Sequence, residues 1–239
     1  MAVVSPAPDP PTHPGTTLAA RYRELAIERA RSRRVDVALR GLDITISATA
    51  LVLFAPAAAA IAIAIRVSSG KPVLYRGDRV GRSGRIFRMV KFRTLVPDAE
   101  TRLGPYWGQE LDGRTHSETT RLGRILRATQ LDEVPQLVNV LRGDMSIVGP
   151  RPIRPTFFEE LCVEIPQYWQ RLVVRPGLTG FAQTRMGREP SWAEKLAHDL
   201  EYVADRSVRL YLRVVLTTLA RVARQSARGL ADVVRARPA

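Results

Sequence analysis

The run Ile44–Ile65, ITISATALVLFAPAAAAIAIAI, decides how the rest of the chain is read. It has 22 residues and no ionisable group. Wound as a helix it extends about 33 Å, enough to cross the hydrocarbon core of a bilayer. A soluble core helix rarely stays uncharged over such a length, so the segment reads as membrane-embedded. Pro56 stands near its middle, where it lacks an amide donor and kinks or breaks a helix. Both flanks are basic: seven arginines against Glu24, Glu28 and Asp36 between Arg21 and Arg40, and nine basic residues against Asp78 between Arg66 and Arg93. Positive charge beside a membrane segment marks the cytoplasmic side, and here both sides carry it. A helix broken at Pro56 that enters and leaves on one face satisfies both facts. The expectation is a re-entrant helix.

Working outward, residues 1–20 carry Pro6, Pro8, Pro10, Pro11 and Pro14 with no apolar run, and read as a disordered tail rather than a secretory signal. Residues 21–66 form the basic helix and the membrane helix. Beyond Gly70-Lys71-Pro72 the pattern turns extended. VLYRGDRV and RIFRMVKFRT flank Gly81-Arg82-Ser83-Gly84, the signature of a hairpin, with Ile86, Val90 and Phe92 expected on one face. Residues 98–118 read as helix then loop. Thr120–Leu141 reads as helix interrupted around Pro135 and stopped by Gly143. Trp192 to about Arg224 reads as two helices, the second basic and amphipathic with a stripe of Leu212, Val215, Leu216, Leu219 and Val222. A basic tail at 226–239 closes the chain. The fold class expected is α+β, mostly helical, with the hairpin and amphipathic interfacial helices built around a cytoplasmic catalytic domain at 67–225.

Of 239 residues, 37 are Lys or Arg and 23 are Asp or Glu, a net charge of +14. Only Lys71, Lys91 and Lys195 are lysines, so the charge is mostly arginine, which favours planar, bidentate contacts to oxyanions. Phosphates are the natural partners: nucleic acid, nucleotide or anionic lipid. A single cysteine, Cys162, excludes an internal disulfide framework. The sequence holds no G-x-x-x-x-G-K-[ST] loop and no G-x-G-x-x-G after a strand. His13, His116 and His198 are too scattered for a zinc site or a triad.

The densest chemistry lies in LDEVPQLVNVLRGDMSIVGPRP, residues 131–152. Asp132 and Glu133 are adjacent carboxylates, able to hold Mg²⁺, act as a base or attack phosphorus. A plainer role is also open, because Thr129 with Asp132 fits a helix capping box. Neighbours on a regular helix diverge by about 100°, so both acids can serve one target only at a broken turn, which Pro135 could supply. Arg151, clamped between Pro150 and Pro152, has a restricted backbone and hence a directed guanidinium. Lys91 and Arg93, in KFRT, are either solvated edge charges or phosphate contacts. Asp112 and Asp144 read as turn residues.

KFRTLVPDAE, TRLGRILRATQLDEVPQLVNVLRGDMSIVGPRP and RLVVRPGLTGFAQ together resemble the bacterial sugar transferases, the monotopic polyprenyl-phosphate phosphoglycosyl transferases in their minimal form. The likeness runs from about Arg33 to Val222. It implies transfer of a sugar-phosphate from a nucleoside diphosphate-sugar, usually a UDP-sugar, to undecaprenyl phosphate, with release of UMP. That would be the first membrane step of a surface glycan, on the cytoplasmic face of a bacterial inner membrane. It further implies that Asp132 is the nucleophile, Glu133 its partner acid, and Mg²⁺ the cofactor held by the pair. Arg151, Lys91 and Arg93 would bind phosphate, supported by Gly149, Pro150 and Pro152 of the turn. Membrane lipids would be partners and nucleic acid would not, with a homodimer among the assemblies to expect. The family's usual LDELPQ reads LDEVPQ here, and its usual Ser-Pro at the membrane break reads Ala55-Pro56. A D-x-x-Y match falls on Asp199 and Tyr202, and a common late Asp is replaced by Tyr211. The competing reading is a membrane-tethered basic protein that binds nucleic acid or anionic lipid without catalysis.

Overall fold

The computed structural model describes residues 34–99, 102, 115–185 and 191–235. Expectations for the N-terminal tail and for most of 98–118 therefore lie outside the described residues. Helix α1, Arg34–Ser69, has 36 residues, about 54 Å of helix. Helical backbone continues through Pro56, where the sequence expects a kink or a break. A proline costs a helix one hydrogen bond and a local clash, and neighbouring backbone often absorbs this as a bend. The apolar middle of α1 is bare: Val52 and Leu53 are 75% and 71% exposed. Such a face is foreign to the core of a soluble protein.

Strands β1 (Leu74–Val80) and β2 (Ile86–Phe92) form the expected antiparallel hairpin, pairing Leu74 with Phe92 and Val80 with Ile86. Ser83 (φ 56°) and Gly84 (φ 74°) turn the chain through the left-handed region. The side-chain faces differ from the expectation. Phe87 and Met89 point into the main core, Phe92 into a second cluster with Ile65 and Leu126, and Ile86 lies against a third around Tyr168. Lys91 thereby shares a hairpin face with Phe87 and Met89.

Helix α2 (Arg121–Thr129) is followed by a 3₁₀ turn at Leu131–Glu133 and helix α3 (Gln136–Arg142). Gly143, at φ 88°, ends α3 as expected. A short parallel pair, β3 (Ser146–Val148) with β4 (Gly177–Thr179), goes beyond the sequence expectation. Between them lie α4 (Pro155–Glu164) and a 3₁₀ segment at Tyr168–Val173. The chain continues with α5 (Phe181–Arg185), α6 (Trp192–Asp205) and α7 (Val208–Arg235). Helix α7 extends well into the expected C-terminal tail. Its inward face is Tyr211 and Val214, while Leu216 and Leu219 of the apolar stripe are 66% and 60% exposed.

Both ends of α1 are tied to the same folded body. Near its start, buried Asp43 accepts hydrogen bonds from Ser146 Oγ (2.9 Å), the Ile147 amide (2.8 Å) and Tyr211 O–H (2.8 Å). Arg40 donates to the carbonyls of Val140 and Leu141 at the end of α3, and Arg206 grips Asp36 with two nitrogens. At the far end, Arg93 donates to the carbonyls of Ser69, Gly70 and Lys71. Leu39 packs in one core with Tyr211 and Val214.

Candidate active site

Thr120 begins the segment that carries the two carboxylates. Its Oγ1 accepts from the Gly123 amide (2.9 Å) and caps α2, whereas the capping box expected of Thr129 with Asp132 does not form. Thr129 is instead the last residue of α2, its hydroxyl returned to the carbonyls of Ile125 and Leu126. Gln130 then adopts a left-handed backbone (φ 56°, ψ 15°), which costs a non-glycine residue on the order of 1 kcal/mol. Pro135 has no N–H to give a preceding turn. The helix is broken on both sides, and the short turn between holds Asp132 and Glu133. This is the broken geometry that two adjacent acids need in order to address one target.

Asp132 is 6% exposed. Burial, and then the neighbouring charge of Glu133, push its carboxyl up to about 6, while Lys91 and Arg127 pull the other way. Lys91 is affected in the opposite sense: burial brings its ammonium down to about 8, with Asp132 the main charge opposing that fall. The two groups form a partly compensated pair at the centre of the site. Arg127 is held by a hydrogen bond from Nε to Thr94 Oγ1 (2.9 Å). Arg151 lies over the other carboxylate, Nη2 to Glu133 Oε1 at 3.8 Å, with its side chain 63% exposed. So exposed a pair contributes little to stability, and it leaves the guanidinium reachable by a ligand.

The turn that carries Arg151 is fastened from three directions. The Gly149 amide donates to the Thr179 carbonyl (2.9 Å), and the Gly177 amide donates to the Pro150 carbonyl (2.9 Å). At Gly149 a Cβ would run into backbone atoms of Arg175 and Gly177, so only glycine fits. Arg171 donates to the carbonyl of Arg151 (2.9 Å) and is itself held by Asp199 (2.8 Å), both side chains being 5% exposed. Tyr202 donates to the Val148 carbonyl (3.1 Å). Asp199 and Tyr202 of the D-x-x-Y pair therefore brace this turn from α6.

Asn139 joins the two halves of the site. Its Oδ1 accepts from the Val90 amide (3.0 Å) and its Nδ2 donates to the Arg88 carbonyl (2.8 Å). The amide thus docks the free edge of β2, which carries Lys91, onto α3, which follows the carboxylates. Neither Asn139 nor Arg171 nor Arg127 stands out as functional in the sequence, because each acts through partners distant along the chain.

The structure brings together Asp132, Glu133, Lys91 and Arg151, and mounts Arg151 on the Gly149-Pro150-Pro152 turn. It directs Arg93 elsewhere: both terminal nitrogens of that arginine serve the end of α1. The positive charges acting on Asp132 are those of Lys91 and Arg127. Among the described residues no cluster of three or more His, Cys, Asp or Glu forms a metal cage. Two acids fit Mg²⁺, which typically takes one or two carboxylates and completes its shell with water and substrate phosphate.

The family model for bacterial sugar transferases matches residues 34–225. The chain belongs to that family. It is 40% identical over 190 residues to the UDP-glucose:undecaprenyl-phosphate glucose-1-phosphate transferase of Caulobacter vibrioides, covering 77% of this chain and 69% of that one. It is 38% identical over 183 residues to the UDP-N-acetylgalactosamine-undecaprenyl-phosphate N-acetylgalactosaminephosphotransferase of Aeromonas hydrophila, covering 75% of this chain and 42% of the relative. The exopolysaccharide production protein ExoY of Rhizobium meliloti is 33% identical, covering 77% and 84%. The match to the transferase family thus spans both ties of α1 and the whole carboxylate–arginine site, while the chain covers less than half of the Aeromonas relative.

Proposed function

We propose that this chain transfers a sugar-phosphate from a nucleoside diphosphate-sugar, of the UDP class, to undecaprenyl phosphate, through a covalent phosphosugar on Asp132. The observation that carries the reading is the placement of Asp132: buried on a broken turn, beside Glu133 and opposite Lys91. In the first displacement an Asp132 carboxylate oxygen attacks the sugar-bearing phosphorus. The bond to the bridging oxygen breaks, and UMP departs with that oxygen and its electron pair. In the second, a phosphate oxygen of undecaprenyl phosphate attacks the same phosphorus and expels the Asp132 carboxylate, giving the diphosphate-linked sugar. Two displacements let a water-soluble donor and a lipid acceptor use one site in turn.

An acid near 6 is well matched to the task. It is mostly ionised at neutral pH, and more nucleophilic than an ordinary aspartate. Lys91 and Arg151 offset the charge of the phosphates that would repel it. Asp132 and Glu133 are the residues that would hold Mg²⁺, which when bound supplies further neutralisation of the phosphate oxygens.

The exposed apolar middle of α1, the ties of both its ends to one folded body and the basic residues on both flanks support a helix that bends at Pro56, dips into the membrane and returns, with the site on the cytoplasmic face. Kept straight, the 36 residues of α1 would hold those ends about 54 Å apart, on opposite faces. The exposed Leu216–Leu219 stripe of basic α7 supports a second, interfacial contact. The test is UMP release from UDP-sugars with undecaprenyl phosphate and Mg²⁺, run over a panel of donors. The wild type is expected to turn over and Asp132→Asn to be inactive. Full turnover by that variant would remove Asp132 from the mechanism.

A further inference from the structure

Lys91 stands among charges without being clasped by one. Asp132 and Glu133 attract it, while Arg127 and Arg79 repel it. Among the described residues its Nζ makes no hydrogen bond and no ion pair. Its close contact is with a ring: Nζ lies 5.1 Å from the ring centre of Tyr75, its partner across the hairpin. That is within reach of a cation–π attraction. The negative face of a ring draws an ammonium, yet leaves its three N–H donors to other acceptors. A carboxylate clasp would occupy those donors and, at Asp132, the oxygens of the proposed nucleophile.

Gly77 gives the ring its place. Tyr75, Gly77 and Arg79 share one face of the hairpin with Lys91 and Met89. The tyrosine ring lies along the strand over Gly77, where an added Cβ would collide with Oη, Cζ and Cε1 of Tyr75. Gly77 is not among the glycines with a left-handed backbone, so the site uses the missing Cβ and not a special φ. Glycine inside a strand weakens it and marks the close approach of another group. Here that group is the Tyr75 ring, which also packs against the main core.

We propose that Tyr75 is a positioning residue: its ring, seated over Gly77, holds the Lys91 ammonium beside Asp132 while leaving its N–H donors to a phosphate. The proposal rests on the transferase reading above for what Lys91 does; the ring contact itself does not depend on it.

The experiment uses the full chain in lipid nanodiscs. Lys71, Lys91 and Lys195 are its only lysines, so lysine carrying ¹³C at the ε position gives three signals, and Lys91→Arg assigns one of them. Lys195, whose Nζ lies 3.7 Å from the Trp192 ring centre, is the internal control. Ring current is expected to hold the Lys91 ε-protons upfield in the wild type and in Tyr75→Phe. The shift should be lost in Tyr75→Leu and Gly77→Ala, with Lys195 unmoved throughout. Single-turnover UMP release from a UDP-sugar without acceptor should fall about 2- to 30-fold in the same two variants, the range of a cation–π contact. Tyr75→Phe should stay within about twofold of the wild type. Gly77→Ala displaces the ring while keeping every atom of it, so a slower release there at an unchanged melting temperature does not come from lost packing. A Lys91 signal that Tyr75→Leu leaves in place overturns the proposal, as does a Tyr75→Phe variant as slow as Tyr75→Leu. A signal that moves with no change in UMP release also overturns it; in each of these cases UMP release by the wild type keeps the transferase reading. Wild-type protein that releases no UMP from any UDP-sugar overturns the transferase reading, whatever the spectrum shows.

Discussion

Replacing Asp132, the proposed nucleophile, should make the protein more stable. Asp132 titrates near 6 in the fold, against 3.8 for the ordinary side chain. A shift of about two pKa units corresponds to about 3 kcal/mol by which the folded protein disfavours the ionised form. At 6% exposure the carboxyl has little solvent to screen it, and the shift already contains the attraction of Lys91 and Arg127. The folded value lies above the unfolded one, so the cost is absent below about 3.8, grows between the two values, and is complete above about 6. An amide in place of this carboxyl would mimic the neutral acid at every pH. Allowing for the hydrogen bonds that amide must find, Asp132→Asn should gain about 1–3 kcal/mol at pH 7.5 and nearly nothing at pH 4. For a chain of this size that is a rise of roughly 2–12 °C in melting temperature. The assay is thermal unfolding in detergent with a chelator, across pH 4–8, on wild type and variant. A melting difference that does not change with pH would refute the reasoning, because the buried charge would then not be the cause.

Three other outcomes follow from the same geometry. Donor cleavage without acceptor should rise with pH through about 6 as Asp132 ionises and fall through about 8 as Lys91 loses its proton, and Lys91→Arg should remove the alkaline fall; rate–pH profiles check both. Asn139→Ala should cost about 2–4 kcal/mol by orphaning the Val90 amide and the Arg88 carbonyl, and it should lower activity by freeing the strand that carries Lys91; denaturation and turnover measure the two effects. Asp199→Asn should cost about 3–5 kcal/mol by leaving buried Arg171 without its counter-charge, and should raise the donor KM because Arg171 holds the backbone of Arg151; Asp199→Glu should recover part of both.

What the sequence conveys is local. The hairpin is legible because strand-forming residues flank a four-residue glycine turn, and its faces are not, because three clusters rather than one receive its side chains. The carboxylate turn is legible because Pro135 forbids a regular helix beside two acids. The extra break at Gln130 is not, since nothing in a glutamine announces a left-handed backbone. At Pro56 the local rule expects a break, and the helix continues. Long-range partners are the blind spot. Arg93 sits in a phosphate-like context, KFRT, but the carbonyls it serves at the end of α1 lie more than twenty residues earlier. Tyr211 stands where the family often has an acid, and its hydroxyl is committed to the acid of another helix, Asp43.

The covalent step is the claim on which the rest depends. Intact-mass analysis of the full chain, incubated with a UDP-sugar and Mg²⁺ and no acceptor, measures it directly. A gain of one sugar-phosphate is expected, localised to the peptide containing Asp132, discharged on adding undecaprenyl phosphate and absent in Asp132→Asn. UMP release that requires the acceptor, with no mass gain at any stage, would contradict it.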